Sequence, residues 1–409
     1  MSAEPTAHPR SPFLDPGFQK DPYPTIHRLR REDPVHFVPE LGCFFVTRYD
    51  DVRQLFTDPR VTNDRRAWEH YVPPPEGSFM RWVADNGLFS LPPEEHARIR
   101  RLVSAAFTPR AVGRMESQIA EVVQRFAGLL QGRRGIVDLM AEFTDPIPNA
   151  VISRITGVPP AGDDEKRFRE LAQTTIRGFF SFAGDDIVKQ AEAAFLELAD
   201  WVRTLARERR RRPQEDLVSD LVQIQQSDEG LCDDDIVILV TGLIGAGSET
   251  TALGGMIGLL TLLEHPDALE RLREDRSLLP MAVGEILRFG FGGPGGLPRY
   301  ALQDFELRGK KIRKGQMLML SFGGANRDPS VYPDPDVFDI ERNPKDLLVF
   351  GNGPHYCLGA NLARTEMRCM MDAALDFLPP GARFCEERIE LEKMGIFQRP
   401  KNLPIDFGE

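Results

Sequence analysis

Apolar residues recur every three or four positions from Glu94 to Leu221, which predicts a run of amphipathic helices. Pro92-Pro93 opens the first of them, at the turn where a missing N–H costs nothing. Met115–Leu130 repeats the pattern. Ala191–Arg211 does so again and closes on Arg209–Arg212 and Pro213. Cations suit a helix C-terminus and proline ends it, so the arginine run reads as a solvated helix end, with a nucleic-acid patch as the alternative. Ile236–Leu263 is almost wholly apolar and is entered through Asp233-Asp234-Asp235, carboxylates at the positive end of a helix. Two further helices are predicted over Asp267–Phe289 and a last one over Leu358–Phe377.

The period shortens elsewhere. Pro34–Val38 and Cys43–Thr47, around Glu40-Leu41-Gly42, predict a β-hairpin. Arg299–Val337 predicts a small antiparallel sheet, and Arg388–Phe407 another hairpin. Asp50–Phe56 turns helical. Ala67–Leu88 mixes Pro, Gly and aromatics without a period and predicts a long loop with short helical pieces, a kind of segment that is often functional. Residues 1–20 are polar and proline-rich and are expected to form a flexible arm. No repeat or low-complexity linker interrupts the rest. The expectation is therefore a mainly α fold with small β-sheets, the sheet region lying on the N-terminal side, in a single domain over 21–409.

Composition narrows the function. The net charge of −11 argues against nucleic acid as the main partner. The apolar stretch Ile236–Leu263 approaches the ~20 residues of a membrane span. Ser248-Glu249-Thr250-Thr251 splits it into two runs of twelve, however, and a mid-bilayer carboxylate is costly. No membrane partner is expected, and a cytoplasmic protein is. Five cysteines (Cys43, Cys232, Cys357, Cys369, Cys385) do not read as a disulfide framework.

One of them stands in unusual company. In Phe350-Gly351-Asn352-Gly353-Pro354-His355-Tyr356-Cys357-Leu358-Gly359, three glycines and a proline surround Cys357 just before a helix. Glycine allows positive φ and close approach to a flat ligand. A helix N-terminus lowers a thiol pKa and favours the metal-binding thiolate. The alternatives are an inert buried Cys and zinc, for which His355 and Cys357 offer too few ligands.

This segment resembles the haem-binding loop of the cytochromes P-450, F-G-x-G-x-H-x-C-x-G, at all six fixed positions. The resemblance implies that Cys357 is the proximal thiolate of a haem b iron, with Phe350, Gly351 and Gly359 shaping the loop. Other segments follow in the family's order. Glu285-Ile286-Leu287-Arg288, 72 residues before Cys357, is similar to E-x-x-R, and Arg342 matches the second arginine of the same charge network. These three imply a structural role, holding the cysteine loop. Ala246-Gly247-Ser248-Glu249-Thr250-Thr251 resembles the oxygen-binding segment. Ser248 departs from the His of many bacterial members. The resemblance gives Glu249 and Thr250 the organisation of water and the delivery of protons to the oxygen being reduced. His96, Arg100, Arg299 and His355 match family positions around the haem propionates.

The reaction implied is R–H + O2 + 2e⁻ + 2H⁺ → R–OH + H2O. The chain carries no flavin, nicotinamide or iron–sulfur fingerprint. A separate ferredoxin or flavodoxin with its reductase is therefore expected, NAD(P)H serves only indirectly, and ~400 residues suit a monomeric haem domain alone. Arginines 98, 101, 364 and 368 are expected to give a basic face near Cys357. The substrate is expected to be small and hydrophobic, of steroid, terpenoid, fatty acid or macrolide class, in a pocket including Phe79, Trp82, Phe89, Phe179, Phe180, Leu243, Gly293, Leu297 and Phe397. A peroxide-driven peroxygenase and a haem-based sensor or carrier are the alternatives; the Glu249-Thr250 pair counts against both.

Overall fold

The computed structural model describes residues 13, 15–157, 163–179, 185–227, 231–293, 295–394 and 397–409. Among them the helices are α1 (Pro16–Lys20), α2 (Tyr23–Glu32), α3 (Tyr49–Leu55), α4 (Phe79–Asn86), α5 (Pro93–Ser104), α6 (Pro109–Gly128), α7 (Pro146–Thr156), α8 (Asp163–Phe179), α9 (Asp185–Arg211), α10 (Leu217–Gln226), α11 (Asp233–Glu264), α12 (Pro266–Glu274), α13 (Leu279–Phe289), α14 (Phe322–Asn326) and α15 (Ala360–Phe377). A π-helical turn spans Met140–Thr144 and leads into α7.

The strands form small sheets. β1 (Val35–Val38) and β2 (Cys43–Val46) are the predicted hairpin. They extend into a five-stranded sheet, β1-β2-β8-β5-β3, with β3 (Val61–Thr62), β5 (Gly296–Ala301) and β8 (Met317–Ser321). Within it β2 and β8 run parallel, and β5 is antiparallel to β8 with Arg299 opposite Leu318. β4 (Ile136–Asp138), β12 (Pro404–Asp406) and β9 (Arg383–Phe384) make a second sheet. Two hairpins complete the set: β6 (Phe305–Leu307) with β7 (Lys310–Ile312), and β10 (Leu391–Met394) with β11 (Phe397–Pro400). The C-terminal segment is therefore more than a hairpin: β12 leaves it and pairs with β4, antiparallel, from far earlier in the chain.

α11 organises the helical part. By length and composition it could cross a membrane, yet it packs against α7, α9, α13 and α15. Its C-terminal half approaches α15 closely: a Cβ on Gly254 would lie 3.0 Å from Met367 Sδ, one on Gly255 3.1 Å from Met370 Sδ, and one on Gly258 2.9 Å from Met371 Sδ. Glycine in a helix costs ~1 kcal/mol relative to alanine; here it lets two helices meet with methionine sulfurs filling the seam. The matched residues increase together along both helices, so α11 and α15 run parallel.

The N-terminal arm is shorter than expected. Phe13 is fully buried, with its ring 4.8 Å from Phe45 and 4.7 Å from Phe18, and Asp15 caps α1 through Gly17 N–H. Two buried aromatics outweigh the polar composition that surrounds them. The rest of the expected arm lies outside the described residues.

Candidate haem site

The loop 346–359 is held from its base. Tyr49 and Tyr332 both donate their hydroxyls to Asp346 O, at 2.9 Å each, and Leu348 N–H donates to Asn326 Oδ1. Gly351 and Gly353 both take φ of +74°, and a Cβ on Gly353 would lie 2.4 Å from Thr57 Cγ2. Both positions call for glycine by their handedness, and Gly353 for space as well. Gly359, the N-cap of α15, has φ of −83°, and a Cβ there would meet nothing within 4 Å. Its use is to leave a backbone surface bare. Cys357 N–H donates to Phe350 O at 2.8 Å, closing the loop on itself. The Arg364 guanidinium lies 4.4 Å above the Phe350 ring, a contact the sequence reading missed.

The Cys357 side chain is accessible, but its thiol is pushed up rather than down. Desolvation by its surroundings is the larger effect. The Gly359 N–H, Arg100 and Arg364 favour the thiolate and do not overcome it. The helix N-terminus alone thus does not make this thiol acidic, which corrects the sequence expectation.

Four basic groups gather beside the loop. His96, on α5, is buried, with its ring 4.0 Å from that of His355, and its Nε2 has no hydrogen-bond partner. Burial, then the charge of Arg100, hold its pKa down. Burial, with His96, Arg299 and Arg100 behind it, pushes His355 down to about 4. Arg100 donates to Tyr356 O and so ties α5 to the cysteine loop. Arg299, on β5, is 5% exposed, lies 4.9 Å over the Phe56 ring, donates to Pro298 O and has no carboxylate partner among the described residues. Burial alone pushes it down to about 10.

The middle of α11 is its open part. Thr250 Oγ1 donates to Ala246 O at 2.7 Å, and Ser248 Oγ to Ile244 O, the back-bonding expected of a bent helix. Gly242, Ala246 and Thr250, four residues apart on one face, are exposed, Glu249 and Leu243 are half-buried, and neither Gly242 nor Gly247 would bring a Cβ within 4 Å of another atom. Close packing explains the glycines at the C-terminal end of α11, not Gly247. Gly242 escaped the sequence reading, although its i, i+4 spacing from Ala246 places it on the same face.

Glu285 and Arg288, on α13, are buried and joined by two bonds of 2.7 Å, and Arg342 Nε reaches Glu285 Oε1 at 3.1 Å. Asp339 N–H also donates to Glu285. Arg288 bonds the carbonyls of Asn326, Pro335 and Val337, and Arg342 those of Pro333, Asp334 and Val337. One carboxylate and two guanidinia thus tie segment 333–342 to α13.

The expected aromatic pocket divides. Phe79 is buried and stacked on Phe195, at 3.5 Å between centroids, and belongs to the core with Trp82 beside it. Phe89 is 64% exposed and lies near His355. Leu297 is exposed on β5, and Gly293, at φ of +44°, has open space at its Cβ. Phe180 and the side chains of Phe179 and Phe397 lie outside the described residues. The expected basic face is thinner than its sequence: Arg368 pairs with Glu116 and Arg98 with Glu95, while Arg364 is engaged on Phe350.

Residues 43–377 match the cytochrome P-450 family. The chain is 35% identical over 363 residues to epothilone C/D epoxidase of Sorangium cellulosum, covering 87% of this chain and 85% of the relative. It is 34% identical to nocardicin C N-oxygenase of Nocardia uniformis subsp. tsuyamanensis, covering 96% and 97%. The solved epothilone B-bound cytochrome P-450 superposes with a TM-score of 0.87 at 31% identity, over 98% of this chain and all of that one. The chain belongs to the cytochrome P-450 family, and is a haem-thiolate monooxygenase that uses haem b and O2, takes NAD(P)H electrons through redox partners and acts on a small organic substrate. The residues present fit that group. A thiol borders a bare backbone surface, and an orphaned buried imidazole nitrogen and a buried arginine without a counter-ion stand beside it, as a dianionic porphyrin edge requires.

Proposed function

We propose that Cys357 is the axial thiolate, that Arg100, Arg299, His96 and His355 receive the propionates, and that Glu249 and Thr250 deliver protons. The observation that carries this reading is the basic cluster with no acid in it, set beside an accessible cysteine. Bound haem supplies the activation of O2, with the thiolate as electron donor to the iron. The protein's share is to hold Cys357 on a glycine loop, with the Glu285 network fixing segment 333–342 upstream of it, and to keep an exposed alcohol and a half-buried carboxyl side by side on α11. Thr250 is held by Ala246 O, so its hydroxyl oxygen is free to accept from a water while that proton stays parked on the backbone. Thr250→Ala should divert electrons from product to peroxide, with the reduced CO-bound spectrum retained; unchanged coupling would sink the proton role.

The substrate we infer is bulky and largely apolar, of macrolide or polyketide type, and its reaction hydroxylation or epoxidation. Relatives named for such reactions include the epothilone epoxidase and the mycinamicin IV hydroxylase/epoxidase of Micromonospora griseorubida, 34% identical. Gly242, Ala246 and Gly293 add little bulk on the open side, and Leu297 supplies apolar surface. A panel of macrolides, steroids, terpenoids and fatty acids, read by the haem Soret shift, tests this; a shift with fatty acids alone would overturn it. Electrons would come from a ferredoxin or flavodoxin with its reductase, steered by exposed cations such as Arg101. The working form would be a monomer in the cytoplasm, where NAD(P)H-linked reduction takes place.

A further inference from the structure

An open groove of about 670 Å³ lies between the β1–β2 hairpin and the β6–β7 hairpin. That volume is in the range of small-molecule sites, roughly 300–1,000 Å³. Phe37, Phe44, Phe305 and Ile312 give it an apolar lining. Phe37 lies on β1, an edge strand of the five-stranded sheet, where an apolar side chain facing water is a liability. It is nevertheless 41% exposed, with its ring 5.1 Å from that of Phe44. Phe305, opposite buried Ile312 on β7, carries the Arg60 guanidinium 4.6 Å over its ring.

The second hairpin is fixed at its tip. Arg308 Nε donates to the Asp51 carboxylate at 3.0 and 3.1 Å, and Lys310 Nζ lies 2.9 Å from Asp33. The groove is therefore formed before anything enters it, which spares a ligand the cost of ordering its site. It is also separate from the haem site. Phe37, Phe44, Leu318 and Arg299 are opposed in turn across β1, β2, β8 and β5, on one face of the sheet. Arg299 thus stands two strands from Phe44, roughly 10 Å away, with fully buried Leu318 between them.

The polar lining defines the ligand. Its charged residues are Asp304, Glu306, Lys311 and Arg313, two of each sign, and Glu306 faces Lys311 directly across the hairpin. Their formal charges cancel, so the groove favours neither an anion nor a cation. Gln316 also lines it. Its Oε1 accepts from Arg313 N–H at 2.8 Å, and its Nε2 has no partner among the described residues. An amide N–H is thus left to give to an oxygen. We propose that this groove is a second binding site, for a neutral, bulky apolar molecule that stacks on Phe37 and accepts a hydrogen bond from Gln316 through a carbonyl or hydroxyl oxygen. Binding there does not depend on the roles given to Glu249 and Thr250.

The test is equilibrium dialysis of progesterone, a neutral fused-ring molecule with two carbonyls, against the ferric haem-loaded protein. The Soret band of the same samples reports occupancy beside the haem. Dialysis should count one bound molecule beyond those that move the Soret band. Phe37→Asp should weaken that extra binding about tenfold, and Gln316→Leu about threefold, with the Soret titration unchanged in both. Cholate, an anion on a similar ring scaffold, should not displace it. If Phe37→Asp loses the reduced CO-bound spectrum, Phe37→Ser takes its place. Binding that never exceeds the Soret-linked amount, undiminished binding in either variant, or displacement by cholate would overturn the proposal.

Discussion

The Glu285–Arg288–Arg342 network and the His96–Arg100–Arg299–His355 cluster bury similar cations to different ends. In the first, a carboxylate lies between two guanidinia and every described polar contact closes within the protein. In the second, no carboxylate is present, Arg299 is pushed down to about 10, and both imidazole pKa values are held down by burial and by their cationic neighbours. The first costs nothing further once folded. The second holds a buried cation, Arg299, to which the described residues bring no counter-charge, which is what the proposed propionate site needs. Burial of charge therefore separates two functions that sequence motifs alone do not: a self-completed network is structural, and an uncompensated one marks a ligand.

The largest test of that contrast is Glu285→Gln. It leaves Arg288 buried without a counter-charge and should destabilise the protein by about 3–5 kcal/mol, with or without haem, read by denaturant unfolding. A loss under 1 kcal/mol would deny the network its structural role. Arg299→Met should do the reverse in haem-free protein, adding about 1–3 kcal/mol by removing an unpaired cation, while haem loss from the loaded protein quickens. Equal destabilisation of both forms would make Arg299 another structural charge. The smallest effect concerns Glu366, which is buried on α15 with its Oε2 lacking a hydrogen-bond partner. Its pKa is raised on folding, so its contribution is complete below the unfolded value of 4.5 and is lost as pH rises toward the folded one. Relative to Glu366→Gln, the wild type should lose up to about 1.4 kcal/mol per pH unit above ~5. Parallel pH profiles for the two would mean that the acid is ionised when folded.

Much of this was legible one residue at a time. The helical periods placed the start of α5 and the whole of α11 within a few residues of where they lie and caught α6 without its first six residues, and Cys43–Val46 formed the predicted hairpin strand. Periodicity is local, and the chain obeys it. The cysteine loop was legible because glycine at Gly351 and Gly353 answers a backbone need. What periodicity could not supply was partnership. Phe79 belongs to the core because Phe195 stacks on it, and Phe13 is buried because Phe45 and Phe18 receive it. Nothing in a linear pattern states which distant side chain will be opposite.

The sequence by itself determined the family, the thiolate candidate and the acid–alcohol pair, since each depends on residue types at short, fixed spacing. Tertiary structure decided the sign of the Cys357 shift, because desolvation depends on everything packed around the sulfur rather than on the helix that follows it. It also decided which buried charges are paired and which are not, because pairing and desolvation are set by groups far apart in the chain. Glu285, on α13, and Glu366, on α15, are the same residue on buried helix faces, and only the tertiary structure brings Arg342 to the first while leaving Oε2 of the second without a hydrogen-bond partner.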